Sequence, residues 1–215
     1  MFKNCLFIAL LIIISHSAFA NSNGDTTIPK KRYDTKRLTG KTITLDGVPD
    51  EEAWNLVEWG GDFTQWQPNE GKAPSQPTRF KILYDNKFLY VAYDCIDSTP
   101  KLIEKRLGRR DDFPGDFVEI NIDSYHDLRT GFSFTTSASG VRGDEFISNN
   151  GNNWDENWNP IWFAKTAVNK HGWTAEIKIP LSQLRYGNEK EKVWGIQVMR
   201  RIFRKEERST WQFIP

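Results

Sequence analysis

Cysteine is nearly missing from this chain, which has only Cys5 and Cys95. Cys5 lies ahead of a short apolar run, Leu6 to Ile14, that follows Lys3 and ends near Ala18-Phe19-Ala20. A positive start, a brief apolar stretch and a small-x-small site read as a cleaved secretory signal over residues 1–20. The run is too short to span a bilayer. Cleavage leaves Cys95 without a partner, so no disulfide is expected to hold the fold despite export. Its place in Leu89 to Cys95, a strand-like run, suggests a buried inert thiol rather than a nucleophile. Charge of one sign is also lacking. The 29 basic and 28 acidic residues become 28 and 28 once Lys3 is removed, which argues against a nucleic-acid or anionic-membrane partner. Histidine is scarce: His16 falls in the signal, and His126 and His171 lie in polar loops with neither zinc nor triad spacing. Glycine makes no phosphate-cradling loop, and no long period repeats, which excludes a propeller or solenoid.

Aromatic residues are abundant, with nine Trp and fourteen Phe, so the core must rest on ring burial. Asn21 to Arg37 is polar and basic and reads as a flexible leader; residues 38–215 read as one module. A first strand is expected over 41–45, closed by Asp46-Gly47, and then a short helical turn bearing Trp54. Residues 60–78 read as a loop, in which Trp66 is either a lid over the core or an exposed binding aromatic, the lid being favoured. Residues 80–84 and 88–93 form a hairpin about Asp85-Asn86-Lys87, and a helical turn falls within 99–110. Strands follow near 117–123, 131–136 and 141. Next, 162–168 pairs with 173–179, whose Trp173, Ala175, Ile177 and Ile179 make an inward face. A helical turn at 181–185 precedes a strand over 193–201, with Gln197, Met199 and Arg201 outward, and another strand starts at Thr210. Many short strands without a long helix indicate an all-β fold, an antiparallel β-sandwich of jelly-roll type with one or two helical turns.

The stretch Asp111 to Asp123 organises the rest. Val118, Ile120 and Ile122 alternate with Phe117, Glu119 and Asn121, and a Pro114-Gly115 turn carrying Phe113 leads into them. A flat ring beside a carboxylate and an amide suits a neutral, hydroxyl-rich ligand. The same acids, Asp111, Asp112, Asp116 and Glu119, offer the paired carboxylates of glycoside cleavage. Their setting, a solvated turn flanked by arginines, reads instead as one that keeps them ionised.

Four landmarks fall in one order: Ile43 to Gly47 with Asp50-Glu51 and Ala53-Trp54; Leu83-Tyr84-Asp85 with Phe88 to Val91; Asp116 to Asp123; and Gly172-Trp173 with Glu176-Ile177 and Ile179-Pro180. Together they resemble the carbohydrate-binding module of family nine, from about Ile43 to Trp211. The resemblance implies a β-sandwich that binds oligo- or polysaccharides, often at chain ends, in modules attached to polysaccharide-degrading hydrolases, and it implies structural calcium. Acid-rich loops at Asp94, Asp97, Asp123 and Asp127 offer oxygens for such an ion, although solvated turns explain them equally. A closer likeness rests on Arg109 to Asp112, Arg129 to Phe134, Trp158-Asn159-Pro160 with Trp162, and Arg200-Arg201. It resembles a subgroup in which the module precedes a long outer-membrane β-barrel in a Gram-negative surface protein. On that likeness the product is exported to the periplasm, outer membrane or cell surface, and this chain is truncated at its C-terminal end.

The family holds sugar between two aromatics. Carried over, the first falls on Phe113 and the carboxylate on Glu119, while positions usually held by Arg and Gln fall near Thr135 and Met199. The second aromatic would lie beyond Pro215, with Trp154 or Trp158 as substitutes on the Asn-rich loop. Two readings follow: a sugar-binding module without catalysis of its own, or an interaction domain that has lost its sugar and docks on a barrel.

Overall fold

The alternation along the chain becomes two stacked sheets. The computed structural model describes residues 28–187 and 193–215; the signal stretch and residues 21–27 lie outside them. Strands run β1 (Lys36–Arg37), β2 (Thr64–Gln67), β3 (Thr78–Tyr84), β4 (Phe88–Ile96), β5 (Phe117–Asp123), β6 (Gly131–Ser137), β7 (Arg142–Ser148), β8 (Asn153–Asp155), β9 (Phe163–Asn169), β10 (Gly172–Pro180), β11 (Gly195–Ile202) and β12 (Glu207–Thr210). One sheet orders β1-β3-β4-β10-β9, the other β2-β12-β11-β5-β6-β7-β8. Neighbours pair antiparallel except β1 with β3. The all-β sandwich expectation holds. Helical structure among the described residues is confined to five single 3-10 turns, more than the one or two expected.

The main core lies between the sheets. Val118, Ile120 and Ile122 face Phe80, Val91, Tyr93, Trp173, Ala175 and Ile177, all at most 1 % exposed. Burying one large apolar side chain contributes about 1.5–3 kcal/mol. Trp54, Trp162 and Trp173 alone therefore outweigh the ~2–4 kcal/mol a disulfide supplies. Cys95 is fully buried and its thiol is pushed up to about 12 by that burial, as expected of an inert thiol.

A second apolar cluster, with Trp54, Val57, Leu83 and Tyr90, covers the outer face of the five-stranded sheet. Here the sequence expectations need correction. Residues 41–45 form no strand, because their backbone donors go to side chains rather than to a ladder. Thr44 N–H donates to Glu51 (2.7 Å), and Asp46 and Gly47 N–H donate to Glu176 (3.1 and 3.0 Å). The end of the leader is docked, not flexible: Tyr33 stacks on Phe80 at 5.1 Å, and its hydroxyl donates to Glu58 O and accepts from Ile82 N–H. The loop at 60–78 contains β2. The final strand, β12, ends at Thr210 instead of starting there, and Glu207 at its beginning is buried and accepts from Ser75 N–H.

Arg200 continues the inner face of β11 behind Ile196 and Val198 and is fully buried. Its guanidinium donates to Pro77 O, Thr78 Oγ1 and Ile96 O, and lies 3.9 Å from the buried Asp97 carboxylate. Burial opposes Asp97 ionisation, yet hydrogen bonds from Arg204 and Thr99 and the guanidinium charges leave its carboxyl below the usual range.

Candidate carbohydrate-binding site

The outer face of the seven-stranded sheet carries the polar half of each alternating strand. Register sets three rows across it: Arg208, Arg201 and Phe117; Met199, Glu119, Thr135 and Gly143; and Gln197, Asn121, Ser133 and Glu145. The segment before β5 folds back over this floor. Asp111 adopts a left-handed backbone (φ 67°), its N–H donates to Arg142 O, and its carboxylate accepts from Asp144 N–H at 3.0 Å. These bonds fasten the segment to β7 and set the Phe113 ring directly over Gly143, where a Cβ would overlap the ring. Phe113 also meets Phe117 at 5.4 Å and 51°. Between segment and floor lies a cavity of about 400 Å³, walled by Asp111, Asp112, Phe113, Phe117, Glu119, Thr135, Gly143, Glu145, Glu156, Met199, Arg201 and Arg208, with Asp144 behind.

Glu119 lies deep in the cavity, only 8 % exposed. Burial pushes its carboxyl up, against hydrogen bonds from Asn121 (2.6 Å) and Thr135 (3.3 Å). Burial likewise raises Glu145, helped by the carboxylates of Glu119, Glu156 and Asp111. Arg201 supplies the opposite charge; its guanidinium sits 5.9 Å from the Phe117 ring and 4.9 Å from that of Phe203. Burial, then Arg208 nearby, lowers its proton affinity. The wall thus offers one flat ring, acceptors on Glu119 and Glu145, and donors on Arg201 and Arg208. Sugar hydroxyls both donate and accept, and pyranose faces are apolar, so the set matches that chemistry.

Of the residues singled out in the sequence, the structure gathers Phe113, Glu119, Thr135 and Met199 at this one cavity. Trp154 and Trp158 are not on its wall. Trp158 packs on Phe132 and Phe134 at 5.0 and 5.6 Å, and Trp154 stands on the edge strand β8, 43 % exposed, its indole N–H donating to Gly151 O. Sequence reasoning missed the donors. Arg201 was placed outward without a role, and Arg208 sat in a segment not read as strand. The Trp66 lid is also corrected: Trp66 is 42 % exposed on β2, with the Arg208 guanidinium 5.9 Å from its ring. So is the picture of a wholly solvated turn, since Asp116 and Glu119 are buried. Asp111, Asp116 and Glu119 are all pushed up by burial, and Asp116 points into the fold, accepting from Phe203 N–H.

A larger depression of about 550 Å³ lies between residues 31–36 and 56–62. Its Trp59 ring is already occupied by Arg79 (4.6 Å) and Lys81 (4.9 Å), so it offers no open stacking face comparable to Phe113. The four acids considered for calcium do not fit that ion. Asp94 is paired with Arg79, Asp97 with Arg204, Asp123 accepts from the N–H groups of Asp127 and Leu128, and Asp127 from Arg129 and Thr130. No group of three acid, histidine or cysteine side chains able to hold a metal forms among the described residues.

The family model described as carbohydrate family 9 binding domain-like matches residues 45–211, most of the chain. The chain belongs to this family. Solved structures share the family 9 fold. One is a family 9 module from Caldicellulosiruptor kristjanssonii in complex with glucose, at TM-score 0.58 and 16 % identity over 83 % of this chain and 85 % of that one. A module from the same organism with cellotriose gives 0.55 and 18 % over 82 % of each. A putative carbohydrate-binding protein from Bacteroides uniformis gives 0.64 and 11 % over 85 % and 91 %. No curated protein matches the chain. As a family 9 module the protein is a carbohydrate-binding domain by membership, and the fold just described is the one its relatives use.

Proposed function

We propose that this family 9 module binds a neutral oligo- or polysaccharide in the Phe113 cavity and cleaves nothing. The observation that carries the reading is the convergence on one open cavity of a half-buried ring, Phe113, with the acceptor Glu119 and the donors Arg201 and Arg208. The glucose and cellotriose bound to the two Caldicellulosiruptor modules support the ligand class. The work belongs to polysaccharide recognition ahead of breakdown. An exported location in the periplasm, outer membrane or cell surface, beside an outer-membrane barrel, is the setting supported by the signal-like residues 1–20 and the subgroup landmarks.

Phe113→Ala tests the site. Retention on polysaccharide affinity gels should fall at least tenfold, since aromatic anchors in such pockets contribute about 2 kcal/mol or more. The melting temperature should barely move, because the ring packs on the surface of the sheet rather than between sheets. Unchanged retention places the sugar elsewhere. Incubation with the bound glycan should release no shorter products.

A further inference from the structure

Trp66 has no structural reason to be where it is. It sits at the outermost strand of the seven-stranded sheet, and the register of β12 with β2 shifts between Arg208 and Ser209. Such irregularities re-aim side chains. Here Trp66 is turned out of the core that the neighbouring Phe63 joins. Its ring is 42 % exposed, and the Arg208 guanidinium beside it is itself part of the cavity wall. A line of groups therefore runs across the sheet from Phe113 and Phe117 through Arg201 and Arg208 to Trp66.

We propose that Trp66 is a second stacking platform, and that the site takes a glycan chain of about five sugar units laid across the sheet from β7 to β2. The inference rests on the Phe113 cavity being the sugar site. Phe113 rests on Gly143 of β7, and from β7 to β2 there are five strand spacings, roughly 24 Å at about 4.8 Å each. A pyranose unit advances a chain by roughly 5 Å, the projection of about four single bonds. A chain of one to three units seated on Phe113 cannot reach Trp66; one of about five can. Arginines between two exposed rings give hydroxyl donors along the path, so the middle units are held by hydrogen bonds and the outer ones by stacking.

The test measures affinity for neutral gluco-, xylo- and manno-oligosaccharides of one to six units, for the wild type, Trp66→Ala and Phe113→Ala. In the wild type, affinity for the preferred series should rise until about five units. Trp66→Ala should leave the constants for one to three units unchanged and weaken chains of five or six units about tenfold, the scale of one stacking contact. Phe113→Ala should weaken every length. If wild-type affinity is flat with length, or Trp66→Ala matches the wild type at every length, the second platform is overturned while the Phe113 site stands. If the folded wild type retains no oligosaccharide, the Phe113 reading falls and takes this one with it. A melting curve for Trp66→Ala overlaying that of the wild type ensures that lost binding is not lost fold.

Discussion

Gly143 shows how one missing methyl group shapes the cavity. Its place on β7, opposite Thr135, lets Phe113 lie against bare backbone, and a Cβ would overlap that ring and crowd the Asp111 carboxylate at 2.9 Å. Gly143→Ala should therefore displace Phe113 and weaken glycan binding by about the factor seen for removing the ring, with stability changed by no more than ~1–3 kcal/mol, the usual cost of overpacking. Equilibrium binding beside chemical denaturation checks it; intact binding would mean that Phe113 has other places to go. At this scale the sequence was informative wherever period-2 alternation operated. Glu119, Met199 and Arg201 could be placed on the outer face because Ile120, Val198 and their neighbours could only face inward. It was silent where a residue's role depends on a contact remote in sequence. Nothing around Gly143 announces a ring thirty positions earlier, and nothing around Arg200 announces that three oxygen acceptors await it inside the core.

Among elements, the segment 41–48 is the instructive failure. Ile43 and Leu45 alternate with polar residues as a strand would, yet the segment crosses the outside of the five-stranded sheet and is tied down by one carboxylate. Glu176, fully buried on β10, accepts from Asp46 N–H, Gly47 N–H and the Trp54 indole N–H at 3.0–3.1 Å. Two of the four sequence landmarks thus meet in one hydrogen-bonded knot. Gly47 is required there: its φ is +96°, and a Cβ would come within 2.8 Å of the Thr166 backbone. Burial pushes Glu176 up to about 6 from an ordinary 4.5, despite the three donors. The folded chain then holds this proton more tightly than the unfolded chain. The stabilisation is complete below about pH 4.5 and is lost as pH rises through about 6, roughly 2 kcal/mol in all. In Glu176→Gln that loss between pH 4.5 and 6.5 should be absent from denaturant unfolding profiles. The variant should also be less stable than the wild type at neutral pH, because the amide cannot accept from all three donors. Parallel profiles for the two proteins would refute this account. The edge strand β2 escaped notice for a related reason: Thr64 to Gln67 has no apolar alternation, and its partner is β12, far along the chain.

For the whole molecule, the fold class was legible because two-layer packing imposes period 2 on every interior strand, and ring burial replaces cross-links. What was not legible is how charges are disposed. Buried Asp97 is answered by Arg200 and Arg204. A structural calcium present at a hundredfold excess over its dissociation constant would add about 2.7 kcal/mol, several degrees in melting temperature. Because each of the four acids in the acidic loops already answers an arginine or backbone N–H groups, thermal melts in a calcium chelator and in excess calcium should coincide. A clear rise with calcium would mean that those loops rearrange around it.

The knot about Glu176 and the Phe113 cavity sit on opposite layers of the sandwich. Fold integrity and ligand choice are therefore written in separate alphabets. Residues 113, 143, 145, 199, 201 and 208 can be randomised as a retargeting library without disturbing what clamps the other layer, which makes this module a ready chassis for new affinity reagents.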